Sequence, residues 1–208
     1  MRIEILDTTL RDGEQTQGVS YSPVEKLHMA SLLLKDIRVD RLEVASARVS
    51  EGEFEATARI AEWARKHNYI DKVEVLGFVD GEVSLDWIRA AGVNVINLLC
   101  KGSRRHLEKQ LRKTADQHAD DIRFVIAKAG EKGITVNIYF EDWSNGMINS
   151  EDYVFYMVDS LRNEKIARFM LPDTLGILNP YQTYDFCRRM VERYPELHFD
   201  FHGHNDYD

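Results

Sequence analysis

Two histidines near the end of the sequence have a spacing that suits metal ligands. His202 and His204 are separated by one residue in an apolar run that predicts a strand, so both imidazoles would project from the same face. Near the other end of the chain, Asp12 follows an apolar run, in a polar loop that contains Gly13 and Gly18. Two imidazoles and one carboxylate would make a three-ligand site with open coordination positions, as a catalytic divalent metal requires. We therefore predict a metal site of Asp12, His202 and His204, provided that the fold brings these segments together.

The residue beside the aspartate extends this chemistry. Arg11 places a permanent cation next to Asp12, which suits the binding of a metal and an anionic substrate together. Mixed carboxylate and imidazole donors admit zinc, manganese or magnesium. Zinc is the ion that we expect.

The segments that must position these residues alternate between strand and helix patterns. Short runs rich in apolar and β-branched residues predict seven strands, at residues 3–6, 41–44, 73–78, 93–99, 135–140, 168–171 and 198–202. The longer segments between them have helical spacing and predict six helices. Ser22, Ser50 and Thr114 each stand three residues before Glu or Gln, which predicts capping boxes at three of the helix starts.

This alternation, at roughly 30 residues per unit, is typical of βαβ repeats with a parallel sheet. A doubly wound sheet usually has a glycine-rich phosphate loop after its first strand, and the sequence contains neither a GxGxxG nor a Walker pattern. In a barrel, functional residues gather just after the strand ends, which is where the unusual polar residues of this chain stand. We therefore predict an α/β fold, a (β/α)₈ TIM barrel truncated after about seven strands.

Length and composition set further expectations. A typical barrel takes roughly 250 residues, so we expect residues 1–208 to form a single catalytic domain that is C-terminally incomplete, without linker or regulatory domains. The net charge of -8 argues against a nucleic-acid surface. The sequence begins with a predicted strand and shows neither a secretory signal nor a spanning segment. Cys100 and Cys187 have no CxxC spacing, which favours a reducing cytoplasm.

Two motifs at opposite ends of the chain match one family. Residues 10–15, followed by Lys26, resemble the first signature of the 2-isopropylmalate, homocitrate and citramalate synthases, and residues 201–206 resemble the second. These enzymes belong to the DRE-TIM metallolyase superfamily. Segments 44–50, 76–81, 97–103 and 139–146 are most similar to the citramalate synthase branch. Tyr207 and Asp208 depart from the small-residue pattern usual after the second signature, a variant that citramalate synthases tolerate.

The resemblance implies a Claisen-type condensation of acetyl-CoA with a small 2-oxo acid, followed by thioester hydrolysis. The metal would polarise the ketone as a Lewis acid, and Arg11 would stabilise the developing oxyanion. Thr174 would donate a hydrogen bond to the substrate carboxylate. Glu141 is the candidate base for the acetyl methyl group, either directly or by positioning another group. Glu43 would orient Arg11 through a charge-assisted hydrogen bond.

The same resemblance places three residues around the side group of the 2-oxo acid. These are Leu76, Leu99 and Tyr139, and together they leave little room, which favours pyruvate and therefore citramalate as product. Packing in the barrel core is an equal reading for Leu76. The alternatives are a 2-isopropylmalate synthase that uses 2-oxoisovalerate, and a carbon–carbon lyase of the 3-hydroxy-3-methylglutaryl-CoA lyase type. Isoleucine or leucine biosynthesis would be the setting for the synthases, and family members suggest a homodimer.

The sequence also bears on the activity of the fragment, on one basic turn and on the remaining histidines. The fragment alone should be nearly inactive, because an incomplete barrel has unpaired edges, and a non-catalytic scaffold remains a third possibility. The cations between residues 101 and 105 predict a solvated basic turn, with CoA phosphates as the alternative partner. The remaining histidines are interpreted as surface or helix residues: His28, His67, His106, His118 and His198.

Overall fold

A computed structural model describes residues 3–204 of the chain. Within these residues, seven strands form a sheet whose order follows the sequence, β1 to β7. The strand pairs β1–β2, β2–β3, β5–β6 and β6–β7 are parallel. The strands are β1 (Leu6–Asp7), β2 (Arg41–Ser46), β3 (Val73–Phe78), β4 (Val95–Lys101), β5 (Thr135–Glu141), β6 (Arg168–Asp173) and β7 (Phe199–Gly203).

Helices occupy the connections between the strands. The stretch from Leu32 to Ile37 continues α1 as a π-helix, and that from Leu107 to Leu111 continues α4 in the same way. No helix of the described part of the chain has both the length and the apolar character needed to cross a membrane. The helices are α1 (Pro23–Ser31), α2 (Glu51–Lys66), α3 (Val83–Ala90), α4 (Arg104–His106), α5 (Ala115–Glu131), α6 (Trp143–Asn149), α7 (Glu151–Leu161) and α8 (Pro180–Arg193).

The strand order confirms the predicted α/β class and the truncated TIM barrel. In a doubly wound sheet the strand order reverses at a switch point, whereas each strand of a TIM barrel pairs with its neighbour in sequence. The order β1 to β7 contains no reversal. The fold therefore corresponds to the first seven strands of a (β/α)₈ barrel.

Two details of the predicted elements are wrong. The first strand begins at Leu6 and not at residue 3, and Ile3 and Ile5 before it are 84% and 62% exposed. The connections after β4 and β5 each contain two helices instead of one. In the second of these, Asp142 adopts a left-handed conformation with φ of 66°, and the extended backbone of Ser150 then separates α6 from α7.

The described chain packs as two compact units, the first of which comprises residues 3–97 and 129–135. Its core contains Leu34, Leu42, Ile60 and Leu85, all at most 1% exposed. Ser22 and Glu25 form the predicted capping box at the start of α1.

The start of α2 departs from its prediction. Ser50 accepts a hydrogen bond from the backbone N–H of Glu53, but the Glu53 carboxylate pairs with Lys26 instead of returning to the cap. The capping box predicted there is therefore only half formed.

The second unit comprises residues 98–128 and 136–204. The largest buried side chains of this unit are Trp143, Tyr153, Tyr194, Phe140 and Phe169. Thr114 exchanges hydrogen bonds with Gln117, which confirms the third predicted capping box. Asp173 pairs with Gly203, so the ends of β6 and β7 are in register. Thr174 and His204 are the residues that directly follow this pair.

Candidate metal and active site

The loop after β1 is a tight turn that presents Arg11 and Asp12. The backbone N–H groups of Arg11, Asp12 and Gly13 all point to the carbonyl oxygen of Thr8, at 3.1, 2.8 and 3.2 Å. One carbonyl therefore fixes three successive residues. The Asp7 carboxylate accepts from the N–H of Thr9 at 2.9 Å and closes the start of the same turn.

Arg11 lies between two carboxylates. Its Nε donates to Glu43 Oε2 at 2.5 Å, and one terminal nitrogen donates to Asp12 Oδ1 at 2.6 Å. Glu43 is completely buried, and its other oxygen accepts from Asn97 Nδ2 at 2.8 Å. The contact expected between Glu43 and Arg11 is therefore present, and a buried carboxylate held by two donors keeps the guanidinium in a fixed orientation. The catalytic roles of Arg11 and Glu43 stay predictions.

His202 and His204 project from the end of β7 on the same side. Their rings stack with centroids 4.9 Å apart and an interplanar angle of 15°. The hydroxyl of Tyr139 lies 3.0 Å from Nδ1 of His202, and the Tyr139 ring meets the imidazole edge-on. When Nδ1 carries the proton and donates it to the tyrosine oxygen, Nε2 is the unprotonated nitrogen, which is the form that can coordinate a metal.

The three predicted metal ligands belong to two segments of the chain. Asp12 lies in the loop after β1, His202 in β7 and His204 directly after it, and each side chain offers one ligand atom. One oxygen and two nitrogens are a donor set that divalent zinc, manganese or magnesium accepts. All three side chains are partly exposed, which leaves room for further ligands.

The candidate base Glu141 lies at the end of β5 in an ion pair with Lys101. His106 stands on its other side, with Nδ1 3.9 Å from Glu141 and Nε2 3.4 Å from Asp142. These contacts orient the Glu141 carboxylate at the strand end. The role of Glu141 as the base stays a prediction.

Thr174 is held by a backbone contact. Its Oγ1 accepts a hydrogen bond from the N–H of Asp142 at 2.9 Å. The hydroxyl proton therefore points away from that amide and can be donated to another acceptor, as the predicted contact with a substrate carboxylate requires.

The residues predicted to surround the substrate side group differ in environment. Leu76 and Tyr139 are buried, at 6% and 5% exposure, whereas Leu99 is partly exposed. The hydroxyl of Tyr139 is engaged with His202, so this residue contacts a predicted metal ligand in addition to any role as a pocket wall.

A buried lysine anchors the loop after β1 from a second direction. Lys26 is fully buried, and its Nζ donates to the Leu10 carbonyl at 3.0 Å and pairs with Glu14 and Glu53, each at 2.5 Å. Glu14 also accepts from the N–H of Tyr21 at 2.8 Å. Burial raises the pKa of Glu53, and the ion pair with Lys26 only partly opposes this. Lys26 was expected only as part of the first signature, and its ion pairs with Glu14 and Glu53 were not predicted.

Two other contacts could not be predicted from the sequence. His118 lies on α5, which agrees with its interpretation as a surface or helix residue, but it is buried at 1% exposure, and its Nε2 accepts from the N–H of Lys101 at 3.1 Å. Burial lowers the pKa of His118 to about 4. Asn97 was not singled out, although a polar residue inside the apolar run of β4 is a recognisable signal for a buried hydrogen bond.

The basic turn after β4 is largely engaged in ion pairs. Lys101 pairs with Glu141, and Arg104 pairs with Asp152. Ser103 accepts from the N–H of His106 as the cap of α4 and donates to Asp142 at 2.6 Å. The last residues of the second signature, 205–206, and the variant positions 207–208 lie outside the described residues.

Comparisons with known proteins agree with the fold and the signatures. Residues 2–208 match the family described as HMGL-like. The chain is 31% identical over 208 residues to a 2-isopropylmalate synthase of Saccharolobus solfataricus, covering 99% of the chain and 52% of that protein. It is 32% identical over 206 residues to a putative (R)-citramalate synthase of Methanopyrus kandleri, covering 99% of the chain and 39% of that protein. The chain therefore spans about half or less of these relatives.

Solved structures give the same fold at lower identity. A hydroxymethylglutaryl-CoA lyase from Pseudomonas aeruginosa superimposes with a TM-score of 0.78 and 15% identity, over 98% of this chain and 68% of that one. Identity at this level supports the fold alone.

Proposed function

Because the chain belongs to the HMGL-like family, within the DRE-TIM metallolyase superfamily, we propose that its protein condenses acetyl-CoA with a small 2-oxo acid. The reaction would be a metal-dependent Claisen-type acyl transfer followed by hydrolysis of the thioester. The observation that carries the proposal is the pair of imidazoles stacked at the end of β7, His202 and His204, together with Asp12 bonded to Arg11 in the loop after β1. Relatives named as synthases match over nearly the whole chain.

The superfamily depends on divalent metals, and the donor set here suits one. Asp12, His202 and His204 would hold the ion, and zinc is the proposed species, with manganese or magnesium as alternatives. When bound, the ion would supply Lewis-acid polarisation of the 2-oxo acid carbonyl. The Tyr139 hydroxyl would keep His202 in the tautomer whose Nε2 can bind.

Arg11 would stabilise negative charge on the former ketone oxygen as the carbon–carbon bond forms. The proposal follows from its fixed position: Glu43 accepts from Nε, and Asn97 fixes Glu43 in turn. A donor that is already oriented needs no rearrangement when charge develops, which is the source of its catalytic value.

Glu141 would remove a proton from the acetyl methyl group of acetyl-CoA. Its pairing with Lys101 orients the carboxylate at the strand end. Thr174 would donate its hydroxyl proton to the carboxylate of the 2-oxo acid, while the N–H of Asp142 fixes the oxygen. Both residues follow the carboxyl ends of strands, where barrel enzymes carry their active sites.

For the 2-oxo acid we propose pyruvate, which would make the product citramalate. Leu76, Leu99 and Tyr139 would surround its methyl group, and the Tyr139 ring is fixed because its hydroxyl meets His202. Filling the pocket discriminates by roughly 1–3 kcal/mol per methylene, about 10- to 200-fold. The second candidate is 2-oxoisovalerate, favoured by the relative named as a 2-isopropylmalate synthase.

The test is an assay of CoA thiol release by the natural protein that contains this chain. Acetyl-CoA is supplied with pyruvate, with 2-oxoisovalerate or without a 2-oxo acid, and products are identified by mass spectrometry. We expect release with pyruvate that stops on chelation and returns with zinc, manganese or magnesium. Cleavage of 3-hydroxy-3-methylglutaryl-CoA without any condensation would instead identify a lyase.

Two variants test the assignments within this reaction. Asp12→Asn should lose bound metal, and an unchanged metal content by elemental analysis would remove Asp12 from the site. Tyr139→Ala should shift the ratio of kcat/KM values from pyruvate toward 2-oxoisovalerate. An unchanged ratio would show that Tyr139 is not a pocket wall.

Assembly and location belong to the same proposal. We propose a homodimer in the cytoplasm. Cys100 and Cys187 are both free thiols, and burial raises the pKa of Cys187 to about 11, so both suit a reducing compartment. Analytical ultracentrifugation at micromolar concentration tests the dimer, and a monomer there would refute it.

A further inference from the structure

Two adjacent cavities extend along the first unit from Arg11. The first, of about 480 Å³, is lined by Arg11, Gln15, Ser46 and Ser50, among others. The second, of about 560 Å³, is lined by Arg48, Ser50, Glu51, Phe54 and Trp87, and we call it the Trp87 groove. Ser50 lines both cavities, so the two adjoin each other between the candidate catalytic arginine and the aromatic pair. Each volume is in the range of small-molecule sites.

The Trp87 groove is mostly aromatic. Phe54 in the first turn of α2 meets Trp87 of α3 edge-to-face, with ring centroids 5.4 Å apart. Both rings are only partly buried, so part of their surface faces the groove. Aromatic surface of this kind stacks nucleic-acid bases irrespective of their identity, because every base has a π face.

A cation stands at the edge of the same groove. Arg48 has 49% of its side chain exposed and donates to Asp80 at 2.8 Å. A guanidinium has five N–H donors in a planar fork, so this single bond leaves donors for a phosphate. Glu51 is the carboxylate that lines the groove, and it is exposed to solvent.

The turn that carries Arg48 is held in place. Its backbone has φ of 67°, a left-handed conformation that a residue with a Cβ rarely adopts. The preceding residue, Ala47, donates to the Leu76 carbonyl at 2.7 Å. Asp80, the partner of Arg48, itself accepts from the N–H and the hydroxyl of Ser84. Contacts on both sides therefore fix the arginine next to the aromatic pair.

We propose that the Trp87 groove binds the nucleotide end of acyl-CoA, with the adenine against Trp87 and a phosphate on Arg48. The pantetheine arm then lies in the first cavity and carries the acyl group toward Arg11. This inference rests on the proposed function for the presence of a CoA thioester. The other basic segment, at residues 101–105, is a weaker candidate because Lys101 and Arg104 are both engaged in ion pairs.

The experiment compares two substrates that differ only in the nucleotide. Acetyl-CoA carries it, whereas S-acetylpantetheine lacks it. Trp87→Leu and Arg48→Gln should each lower kcat/KM for acetyl-CoA about tenfold, the loss typical of one stacked base or one desolvated phosphate contact. The same variants should leave kcat/KM for S-acetylpantetheine unchanged. Equal losses on both substrates, or no loss on acetyl-CoA, would overturn the proposal.

Matched control variants lie on α2. Trp63 is likewise partly exposed and packs on His67 and Tyr69, outside either cavity. Arg59 is 48% exposed and pairs with Glu55, much as Arg48 pairs with Asp80. Trp63→Leu and Arg59→Gln should leave both substrates unaffected. Thermal unfolding of all four variants identifies any that fail to fold.

A binding measurement separates this inference from the proposed reaction. Adenosine 3′,5′-bisphosphate serves as the probe, because it carries the base and phosphates without a thioester. We expect it to quench tryptophan fluorescence and to lose affinity about tenfold in Arg48→Gln, with the quench abolished in Trp87→Leu and kept in Trp63→Leu. This pattern without any condensation refutes the proposed reaction and leaves the groove assigned. Condensation without any effect of the two groove variants refutes the groove alone.

Discussion

His118 makes the stability of the chain depend on pH in a way that can be calculated. The side chain on α5 is 1% exposed, and its Nε2 accepts from the backbone N–H of Lys101. Protonation would remove that acceptor and place a charge in a buried site. Burial is the main cause that lowers the pKa of His118 to about 4, and nearby lysines lower it further, whereas Asp121 opposes them.

The sign and size of the effect follow from linkage. An unfolded histidine titrates near ~6.5, so between that pH and the folded pKa of about 4 the unfolded chain binds more protons. Stability from His118 is therefore complete above about pH 6.5 and is lost as the pH falls toward 4. The calculated loss is about 2 kcal/mol at pH 5 and approaches roughly 3 kcal/mol below both pKa values.

Urea denaturation at pH 7.5 and pH 5.0 measures this loss. His118→Gln keeps a side-chain acceptor but does not titrate, so every other ionisable group cancels in the comparison with the wild type. We expect the wild type to lose about 2 kcal/mol more than the variant between the two pH values. His67→Gln is the matched control, because His67 is exposed. Equal losses in wild type and His118→Gln, or an NMR titration of His118 near pH 6.5, would refute the reasoning.

Three further substitutions test the site and its support. Glu43→Gln removes the buried charge that pairs with Arg11, and urea denaturation should show a loss of about 3 kcal/mol; unchanged stability would mean that the arginine does not depend on this charge. Gly146→Ala would place a Cβ against the carbonyl oxygen of Gly102, so the free energy of unfolding should fall by at least about 2 kcal/mol. Gly130→Ala serves as the control, because a Cβ there meets no atom within 4 Å. Tyr139→Phe removes the hydroxyl beside a predicted metal ligand, and metal affinity by competitive titration should fall about tenfold; an unchanged affinity would contradict that contact.

The general fold could be read from the sequence because parallel strands and their helices leave separate patterns. Strands buried on both faces are continuous apolar runs, and the structure has one strand in each of the seven predicted runs. The polar residues directly after those runs include Asp12 and Glu141, and the carboxyl ends of parallel strands meet at one edge. Local patterns and one rule of topology are therefore enough to predict the fold class.

The first strand shows where local pattern fails. Ile3 and Ile5 have strand propensity, but they are exposed, and β1 extends only from Leu6 to Asp7. Strand propensity reports how well a side chain fits a half-buried pleated surface. The types of residues 3–5 alone do not show whether such a surface is present.

Buried polar contacts were the other part that the sequence did not give. Asn97 and Glu43 are 54 residues apart, and Lys26 and Glu53 are 27 apart. Nothing near either residue in the chain identifies its partner. The burial of His118 on α5 could not be predicted for the same reason, since its contact with the backbone of Lys101 explains a histidine in a buried position.

These contacts explain how the loop after β1, which contains only a short 3₁₀ turn at Gly13–Gln15, holds Arg11 and Asp12 in place. Arg11 is tied to Glu43 of β2, and through it to Asn97 of β4. Lys26 ties the Leu10 carbonyl and Glu14 to the start of α2. The loop is therefore fixed on both sides of Asp12 by ion pairs of the buried Arg11 and Lys26 side chains. Removing one partner of a buried ion pair destabilises the fold by more than the intact pair stabilises it, so the loss of Glu43 or of Lys26 should be strongly destabilising. The surrounding fold, and not the loop alone, therefore sets the position of the Asp12 carboxylate.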